Sequence, residues 1–394
     1  MPSGTISSVP GFLAGAVHAG IRSGNEPDLA LLYSRLPCTA AGVFTTNQIK
    51  SAPVLLSQEH LSNGRAQAIA VNSGCANACA GGEGPRDALE MAGLAAAKLG
   101  TTVSDVLVAS TGIIGMPLPM AHIREGIKEI ELSSEGGHSF VRAIMTTDTR
   151  PKEIAYQFDM KGARITIAGV AKGSGMIHPD LATVLAFIAT DALIDGNFMQ
   201  SSLHKAAELS FNMVSVDGET SPSDSVFLLA NGLAGNEIIN QDNGEAFQHA
   251  LNEVCTNLAR SIAQDGEGAT KLIEVTIEGA KRQADARQAA RTIVSAPLVK
   301  AAVYGNDPNW GRIVAALGRS GVQITERKLD VYLNNTQVVK QGYPVLFDRE
   351  EMQKSLKGNS VSIRLHLNSG DARATAWGCD LSEQYVTINS AYST

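Results

Sequence analysis

The stretch Lys172-Gly-Ser-Gly-Met-Ile-His-Pro-Asp-Leu-Ala-Thr183-Val-Leu-Ala-Phe-Ile-Ala-Thr-Asp191 stands near the middle of the 394-residue chain. It joins a glycine-rich turn with one lysine to a short apolar run that follows a threonine. This setting suits a threonine whose own peptide bond is cut, because cleavage before Thr183 exposes a hydroxyl and a free α-amine. The hydroxyl alone is a poor nucleophile, and a terminal amine with an unperturbed pKa of about 8 is a ready general base for it. The competing interpretation is a glycine-rich loop that enters a buried helix, with Thr183 an ordinary helical threonine.

Bulk composition indicates a globular protein that does not bind nucleic acid. Hydrophobic residues make up 44% and charged residues 18% of the chain, which is ordinary for a soluble protein. The formal net charge of -7, with no basic tract, argues against a nucleic-acid partner. The length allows two or three cores, or one large α/β body cut in two.

Cysteine usage and hydropathy favour a reducing cytoplasm. The five cysteines are odd in number and scattered, so they do not predict a disulfide framework. Cys75 and Cys79 have no second Cys or His pair at zinc-finger spacing, so no metal site is expected. His18 and Arg22 interrupt the only apolar run near the N-terminus, which is unlike a signal peptide. Residues 181–189 are too few to span a bilayer, so no membrane association is expected.

Strand-like and helix-like runs alternate, which indicates an α/β or α+β architecture. Strands are predicted over residues 68–71, 106–109, 164–170 and 272–277. A helix is predicted over residues 86–99, with Leu89, Ala92, Ala96 and Leu99 on its core face. A longer helix is predicted over residues 244–262, where Phe247, Leu251, Val254, Leu258 and Ile262 keep a three-to-four spacing.

Two short segments contain groups that can bind a carbonyl oxygen or a carboxylate. Ser110-Thr111-Gly112 follows a predicted strand, and a threonine hydroxyl with a glycine N–H can aim two donors at one oxyanion. A tight strand-to-loop turn explains it equally well. Lys172 precedes Gly173 and Gly175, so it can place a cation beside a carboxylate or a developing oxyanion.

Four further segments carry polar groups whose ordinary explanation is structural. Thr146-Thr-Asp-Thr149 can hold a polar ligand, although an ST- or Asx-turn is more common. Glu267, in Asp265-Gly-Glu-Gly268, is expected to be an exposed carboxylate suited to an ammonium, or a solvated helix cap. The tail Asn389-Ser-Ala-Tyr-Ser-Thr394 can fold back into a site, although tails are usually frayed. Asn306-Asp-Pro-Asn-Trp-Gly-Arg312 is expected to form a structural corner that rims a pocket.

Taken together, these segments resemble the ornithine acetyltransferase family, the arginine-biosynthesis bifunctional glutamate N-acetyltransferases. The matching pieces are Asn72-Ser-Gly-Cys-Ala-Asn77, Ser110-Thr-Gly-Ile-Ile-Gly115, Thr146-Thr-Asp-Thr149, Lys172-Gly-Ser-Gly-Met176, Ala182-Thr183, Asp265-Gly-Glu-Gly268, Asp307-Pro-Asn-Trp-Gly-Arg312 and the tail from Asn389 to Thr394. They keep the family's order and span nearly the whole chain.

The resemblance implies a two-lobed α/β fold of layered sheets and helices, similar in logic to N-terminal nucleophile hydrolases but distinct in topology. It implies self-cleavage between Ala182 and Thr183 into an α chain, residues 1–182, and a β chain, residues 183–394, that pair again as α2β2. Thr183 becomes the acetyl-carrying nucleophile, and Thr111 and Gly112 form the oxyanion hole. The implied substrate-binding residues are Thr146, Lys172, Thr183, Glu267, Asn389 and Thr394.

The implied reaction moves an acetyl group from N2-acetylornithine to glutamate through an acetyl-threonine. No cofactor is expected, and the resemblance leaves open whether acetyl-CoA is a second donor. A paralogous acetyltransferase of a secondary pathway would share these motifs. A self-cleaving amide hydrolase or aminopeptidase would share Thr183 but pass the acyl group to water. An uncleaved α/β binding protein would have the pocket without turnover.

Overall fold

The computed structural model describes residues 4–178 and 184–391. Its strands are β1 Phe12–Val17, β2 Leu29–Phe44, β3 Arg65–Cys75, β4 Val106–Ile113, β5 Lys152–Met160, β6 Ala163–Lys172, β7 Leu185–Thr190, β8 Val214–Ser215, β9 Ser225–Ala230, β10 Leu272–Ala280, β11 Asp330–Leu333, β12 Thr336–Lys340, β13 Tyr343–Pro344, β14 Ser360–His366 and β15 Ala372–Cys379. Its α-helices are α1 Ala52–His60, α2 Glu83–Leu99, α3 Met120–Glu129, α4 Gly137–Ile144, α5 Gly196–Leu209, α6 Glu245–Gln264, α7 Gln283–Val294, α8 Pro297–Tyr304, α9 Trp310–Gly318, α10 Arg349–Ser355 and α11 Glu383–Ala391.

The described strands form two mixed sheets. The first has the order β4-β3-β2-β9-β7-β6-β5, with β1 paired to β2 beside this path. The second has the order β13-β12-β11-β14-β10-β15-β8. In the first sheet β7 lies between β6, which is antiparallel to it, and β9, which is parallel to it. All six residues of β7 are buried, because both faces of this central strand are covered.

Helix α6 joins the two sheets into one core. Its buried stripe contains Phe247, Leu251, Val254, Leu258 and Ile262, and it contacts β5 and β6 of the first sheet and β15 and β8 of the second. Elsewhere on the first sheet α2 packs on β3 and β4, and α3 packs on β2 and α2, while α7 packs on β10 and β15 of the second sheet. The family's layered α/β architecture with two sheets is therefore confirmed.

The predicted elements are present, with three differences. The strand predicted over residues 106–109 continues through Ser110, Thr111 and Gly112 as β4, so the predicted turn does not start there. The core face predicted for α2 is wrong at Leu89, which is 50% exposed, because Ala88 and Met91 face the core instead. The segment after Thr183 is the strand β7 and not a buried helix.

The break proposed before Thr183 does not coincide with a boundary between sheets. Strands β1 to β6 precede it and β7 and β9 follow it, yet all belong to the first sheet. Two chains cut there would share one sheet and one core. Among the described residues, no helix has both the length and the apolar character that crossing a membrane requires.

Candidate active site

The ends of β4 and β6 meet at one cavity although these strands lie far apart in the first sheet. Four strands separate them, and neighbouring strands are about 4.8 Å apart, so a flat sheet would hold them roughly 24 Å apart. Lys172 Nζ at the end of β6 nevertheless donates a hydrogen bond to Thr111 Oγ1 of β4 at 3.3 Å. The sheet therefore curls. A register shift between Tyr33 and Cys38 of β2 accompanies this curvature, since such irregularities bend strands.

The cavity measures about 130 Å³ and is formed by residues distant in sequence. Six of the residues expected from the sequence line it: Thr111, Gly112, Thr146, Lys172, Glu267 and Asn389. Val184, the residue after Thr183, and Leu185 line it as well. Ala182, Thr183 and Thr394 lie outside the described residues, so their expected roles stay predictions.

The Thr111–Gly112 pair is held by backbone packing that only glycine permits. Gly112 has a φ of 126°, and a Cβ built there would lie 2.3 Å from the carbonyl carbon of Gly74. Ser110 Oγ donates to Asn72 Oδ1 at 2.6 Å, and Asn72 Nδ2 donates to the carbonyl of Cys75 at 2.9 Å. The Asn72–Asn77 segment thus fixes β3 against β4 where Thr111 and Gly112 line the cavity.

Lys172 is a buried cation at the cavity wall. Among the described residues its Nζ has one hydrogen-bond partner, the Thr111 hydroxyl. Burial lowers the pKa of Lys172, while the negative charges of Asp148 and Asp224 oppose that change. Because Lys172 donates to the Thr111 oxygen, the hydroxyl hydrogen of Thr111 is free to point elsewhere.

A second buried lysine, Lys152, supports this wall from behind. Its Nζ lies 2.6 Å from Asp148 Oδ1 and 2.6 Å from Asp265 Oδ2. Asp148 also accepts hydrogen bonds from the N–H groups of Gly173 at 2.7 Å and Thr146 at 3.0 Å. Burial raises the pKa of Asp148, but Lys152 and then Lys172 outweigh it and lower that pKa to about 2. Asp148 therefore fixes the backbone of Thr146, an expected site residue, and of Gly173, which follows Lys172, and it does not itself line the cavity.

The expectation that Glu267 is exposed is wrong, since it is only 8% exposed. Its backbone N–H donates to the carbonyl of Ser174 at 2.8 Å, which docks the turn after α6 against the glycine-rich turn. A Cβ built on Gly175 would lie 2.5 Å from the Glu267 carboxylate, so a side chain at that position would displace the carboxylate. Asn389 of α11 donates its Nδ2–H to Glu267 Oε2 at 2.7 Å. The C-terminal segment therefore folds back into the site.

Residues 306–312 do not line this cavity. Asn306 accepts a hydrogen bond from the buried Lys271, and Asp307 to Gly311 line a separate cleft with Phe347 and Arg349. The expectation of a structural corner that rims a pocket is met at that cleft and not at the site.

A family model described as the ArgJ family matches residues 13–394. The chain belongs to the ArgJ family. It is 51% identical to the arginine biosynthesis bifunctional protein ArgJ of Dehalococcoides mccartyi over all of this chain and 98% of that protein. It is 48% identical to the protein of the same name from Symbiobacterium thermophilum, over all of this chain and 99% of that protein. The resemblance inferred from the motifs, and the N-acyltransferase class that goes with it, are confirmed.

A solved structure agrees with this ArgJ assignment. One chain of the arginine biosynthesis bifunctional protein ArgJ from Bacillus halodurans is 42% identical and superposes with a TM-score of 0.51. The match covers 98% of that chain but 52% of this one.

Sequence reasoning missed one wall of the cavity in this ArgJ chain. The loop between β8 and β9 contributes Asp217, Glu219, Ser221, Pro222, Ser223 and Asp224, and α11 contributes Tyr385. Asp217 accepts hydrogen bonds from the N–H groups of Met176 at 2.6 Å and Ile177 at 3.0 Å, which fixes the chain beyond the glycine-rich turn. The sequence feature that could have predicted this wall is the run of carboxylate and hydroxyl side chains over residues 217–225, between two apolar segments.

Asp224 is the most perturbed carboxyl of that loop. It is 6% exposed and directly precedes β9. Burial raises the pKa of Asp224 to about 8, against the opposing effects of Lys172 and of hydrogen bonds from Ser221. Burial also raises the pKa of Tyr385, and the negative charges of Asp217 and Glu267 add to that rise.

Proposed function

We propose that this chain is a glutamate N-acetyltransferase of arginine biosynthesis that moves an acetyl group from N2-acetylornithine to glutamate through acetyl-Thr183. One observation carries the proposal. An oxyanion-type donor pair, a buried cation and a buried carboxylate converge from three distant segments on one cavity, and the residue after Thr183 lines it. The relatives' name, arginine biosynthesis bifunctional protein, supports the pathway.

Maturation begins with the Thr183 hydroxyl. It attacks the carbonyl carbon of Ala182, the peptide C–N bond breaks, and the resulting ester is hydrolysed by water. The products are an α chain ending at Ala182 and a β chain beginning with Thr183. The solved Bacillus halodurans chain, which spans about half of this one, supports such a division. We propose that the two chains stay paired because they share the first sheet, and that two such pairs associate as α2β2, as the resemblance implies.

Turnover uses the new N-terminus. The Thr183 amine accepts the hydroxyl proton as the oxygen attacks the acetyl carbonyl of N2-acetylornithine. The Gly112 N–H and the Thr111 hydroxyl donate to the developing oxyanion, and Lys172 polarises that hydroxyl through its hydrogen bond. Ornithine leaves, glutamate enters, and its amine takes the acetyl group.

N2-acetylornithine and glutamate both carry an α-carboxylate, but their side chains carry opposite charges. A cavity that binds both substrates therefore needs protein groups for the α-carboxylate and for each side chain. We assign Glu267 to the side-chain ammonium of ornithine, because a buried carboxylate pairs with an ammonium better than with any neutral group. Lys172 is assigned to a carboxylate or the oxyanion. Thr146 and Asn389 add polar contacts, and Thr394 is proposed as a further one.

The decisive experiment compares wild type with Thr183→Ala and Thr183→Ser. On a denaturing gel wild type should give two bands of similar size and Thr183→Ala one band, while Thr183→Ser retains a hydroxyl and should still be cut. Only cleaved forms should transfer acetyl from N2-acetylornithine to glutamate. A wild-type protein that stays as one band contradicts the proposal.

The same assay separates transfer from hydrolysis. Release of free acetate at the same rate with and without glutamate would identify an amide hydrolase instead. Acetyl-CoA, offered as the only donor, tests the second activity that the word bifunctional in the relatives' name suggests. N2-acetylglutamate formed from acetyl-CoA would establish it for this chain.

A further inference from the structure

Asp224 has a free hydrogen-bonding position inside the cavity. Its Oδ2 is buried and, among the described residues, has no hydrogen-bond partner. A buried carboxylate oxygen without a partner costs free energy comparable to a lost hydrogen bond, so such an atom is expected to have a ligand during part of its working cycle. Asp224 lines the same cavity as Thr111, Gly112 and Lys172.

The fold places Asp224 beside the chain that follows the nucleophile. Strands β7 and β9 are parallel, with Leu185 opposite Ser225, and the Ser225 N–H donates to the Val184 carbonyl at 3.0 Å. Asp224 is therefore the residue next to this hydrogen bond. Its own carbonyl accepts from the Thr45 N–H at 3.0 Å, which anchors its backbone to the end of β2.

Two opposing influences keep both protonation states of Asp224 accessible. Burial favours the neutral carboxyl, whereas the Lys172 cation and the hydrogen bonds from Ser221 favour the carboxylate. The other titratable groups around the cavity are Glu267 from the turn after α6, Asp217 and Glu219 from the loop before β9, and Tyr385 from α11. Since these neighbours are acids, Lys172 is the cation of this cavity wall among the described residues.

If the chain has the function proposed above, acetyl transfer from one amine to another requires one proton to be stored between the two half-reactions. The amide nitrogen of N2-acetylornithine receives the Thr183 hydroxyl proton through the Thr183 amine and departs as a neutral amine. Ornithine in water is an ammonium, so it takes up one more proton. Glutamate arrives as an ammonium and must lose one proton before its nitrogen can attack the ester.

We propose that Asp224 is the catalytic residue that stores this proton between the two half-reactions. Its neutral carboxyl donates the proton to the departing ornithine amine and becomes a carboxylate. That carboxylate then accepts a proton from the glutamate ammonium, and the freed amine attacks. As the new C–N bond forms and the ester C–O bond breaks, the second amine proton returns through the Thr183 amine to the Thr183 oxygen. Asp224 is again neutral, and no other reactant is consumed.

The test uses full-length Asp224→Asn, with Asp191→Asn as the matched control. Asp191 is also buried and its pKa is also raised by burial, but it follows the far end of β7, about 20 Å along the strand. It accepts from the Thr166 N–H at 2.8 Å through Oδ1, which asparagine retains. The measurements are chain cleavage on a denaturing gel, initial rates with each substrate across pH, and the rate at which hydroxylamine takes the acetyl group from acetyl-enzyme formed beforehand. Hydroxylamine is an amine that is unprotonated at neutral pH.

Asp224→Asn should be cleaved normally but should transfer acetyl to glutamate roughly 100- to 10,000-fold more slowly. When hydroxylamine is added to acetyl-enzyme formed beforehand from N2-acetylornithine, the variant should transfer its acetyl group at a rate close to that of wild type, because this acceptor has no proton to lose before attack and ornithine has already left. In wild type, kcat/KM for glutamate should fall as the pH drops below about 8, since the carboxylate is needed, and kcat/KM for N2-acetylornithine should fall above it. The neutral Thr183 amine is also needed, so the fall below about pH 8 should persist in Asp224→Asn. The fall in kcat/KM for N2-acetylornithine above about pH 8 should be lost in Asp224→Asn and kept in Asp191→Asn.

Several results would overturn the assignment. Normal glutamate transfer by Asp224→Asn would do so. Equal losses with glutamate and hydroxylamine, both added to acetyl-enzyme formed beforehand, would do so too and would indicate a positional role. Failure of Asp224→Asn to cleave while Asp191→Asn cleaves would count against it too, because proton storage begins only after maturation. A wild-type protein that neither cleaves nor transfers acetyl would instead contradict the proposed function.

Discussion

Lys152 and Lys172 occupy neighbouring antiparallel strands and differ in one respect, their partners. Lys152 begins β5, where it is paired with Ala171, and Lys172 ends β6. Both are buried, at 2% and 9% exposure. Lys152 lies between two carboxylates at 2.6 Å each, whereas Lys172 has a single hydroxyl partner among the described residues. A fully paired lysine stabilises the fold, and an incompletely paired one facing a cavity is available to a ligand or an oxyanion.

The largest expected effect is on stability. Lys152→Met removes the buried cation that contacts both Asp148 and Asp265 at 2.6 Å, so the free energy of unfolding should fall by about 3–5 kcal/mol. Urea denaturation of wild type and variant measures this difference. Lys161→Met, which removes an exposed ion pair with Glu237, is the control and should change it by less than about 1 kcal/mol. Equal losses in the two variants would remove the distinction drawn between the buried lysines.

Lys172→Met should reduce activity without reducing stability. Removing an incompletely paired buried cation should leave the free energy of unfolding equal to or above that of wild type. The kcat of acetyl transfer should fall roughly 100- to 1,000-fold, as for loss of one oxyanion-stabilising group. A loss of stability like that of Lys152→Met, with unchanged kcat for the folded fraction, would make Lys172 a structural residue.

Acid unfolding should distinguish the two lysines more finely, through Asp148. Its folded pKa of about 2 lies below the unfolded value of 3.8, so it contributes about 2 kcal/mol above pH 4, lost as the pH falls towards 2. The lysines lower this pKa in the order Lys152, then Lys172, so Lys152→Met should raise the pH of acid unfolding more than Lys172→Met does. Circular dichroism during acid titration measures the pH of unfolding of each variant. A larger increase in the unfolding pH for Lys172→Met than for Lys152→Met would contradict the assignment of Lys152 as the main partner of Asp148.

The smallest expected effect concerns substrate choice. Glu267→Gln keeps the shape but removes the negative charge assigned to the ornithine side chain. The kcat/KM for N2-acetylornithine should therefore fall roughly tenfold more than that for glutamate, a difference of about 1.4 kcal/mol. Steady-state rates with each substrate varied in turn check this. Equal losses for both substrates would assign Glu267 to a contact that they share.

Local patterns allowed much of the fold to be predicted from the sequence. The stripe of α6 and the cores of β3, β4, β6 and β10 follow from residue spacing, because periodicity reflects which face is buried. The error at Leu89 arose in an alanine-rich helix, where small residues leave two faces similarly apolar. The error at Glu267 arose because a carboxylate between glycines is usually solvated. Here Asn389 and the glycine-rich turn, both distant in sequence, enclose its side chain.

The sequence by itself determined family membership, because short motifs in a fixed order can be recognised without a structure. It also supplied the candidate residues Thr111, Gly112, Thr146, Lys172, Glu267 and Asn389. Thr183 remains a prediction of that kind. Only the tertiary structure decided that Lys172 touches Thr111, that Lys152 is neutralised where Lys172 is not, and that Asp224 has an unpartnered oxygen. The reason is physical. Lys172 and Thr111 lie on strands far apart in the sheet order, Asp265 lies in the turn after α6, and Asp224 lies in the loop before β9, so these arrangements depend on tertiary packing and not on local spacing.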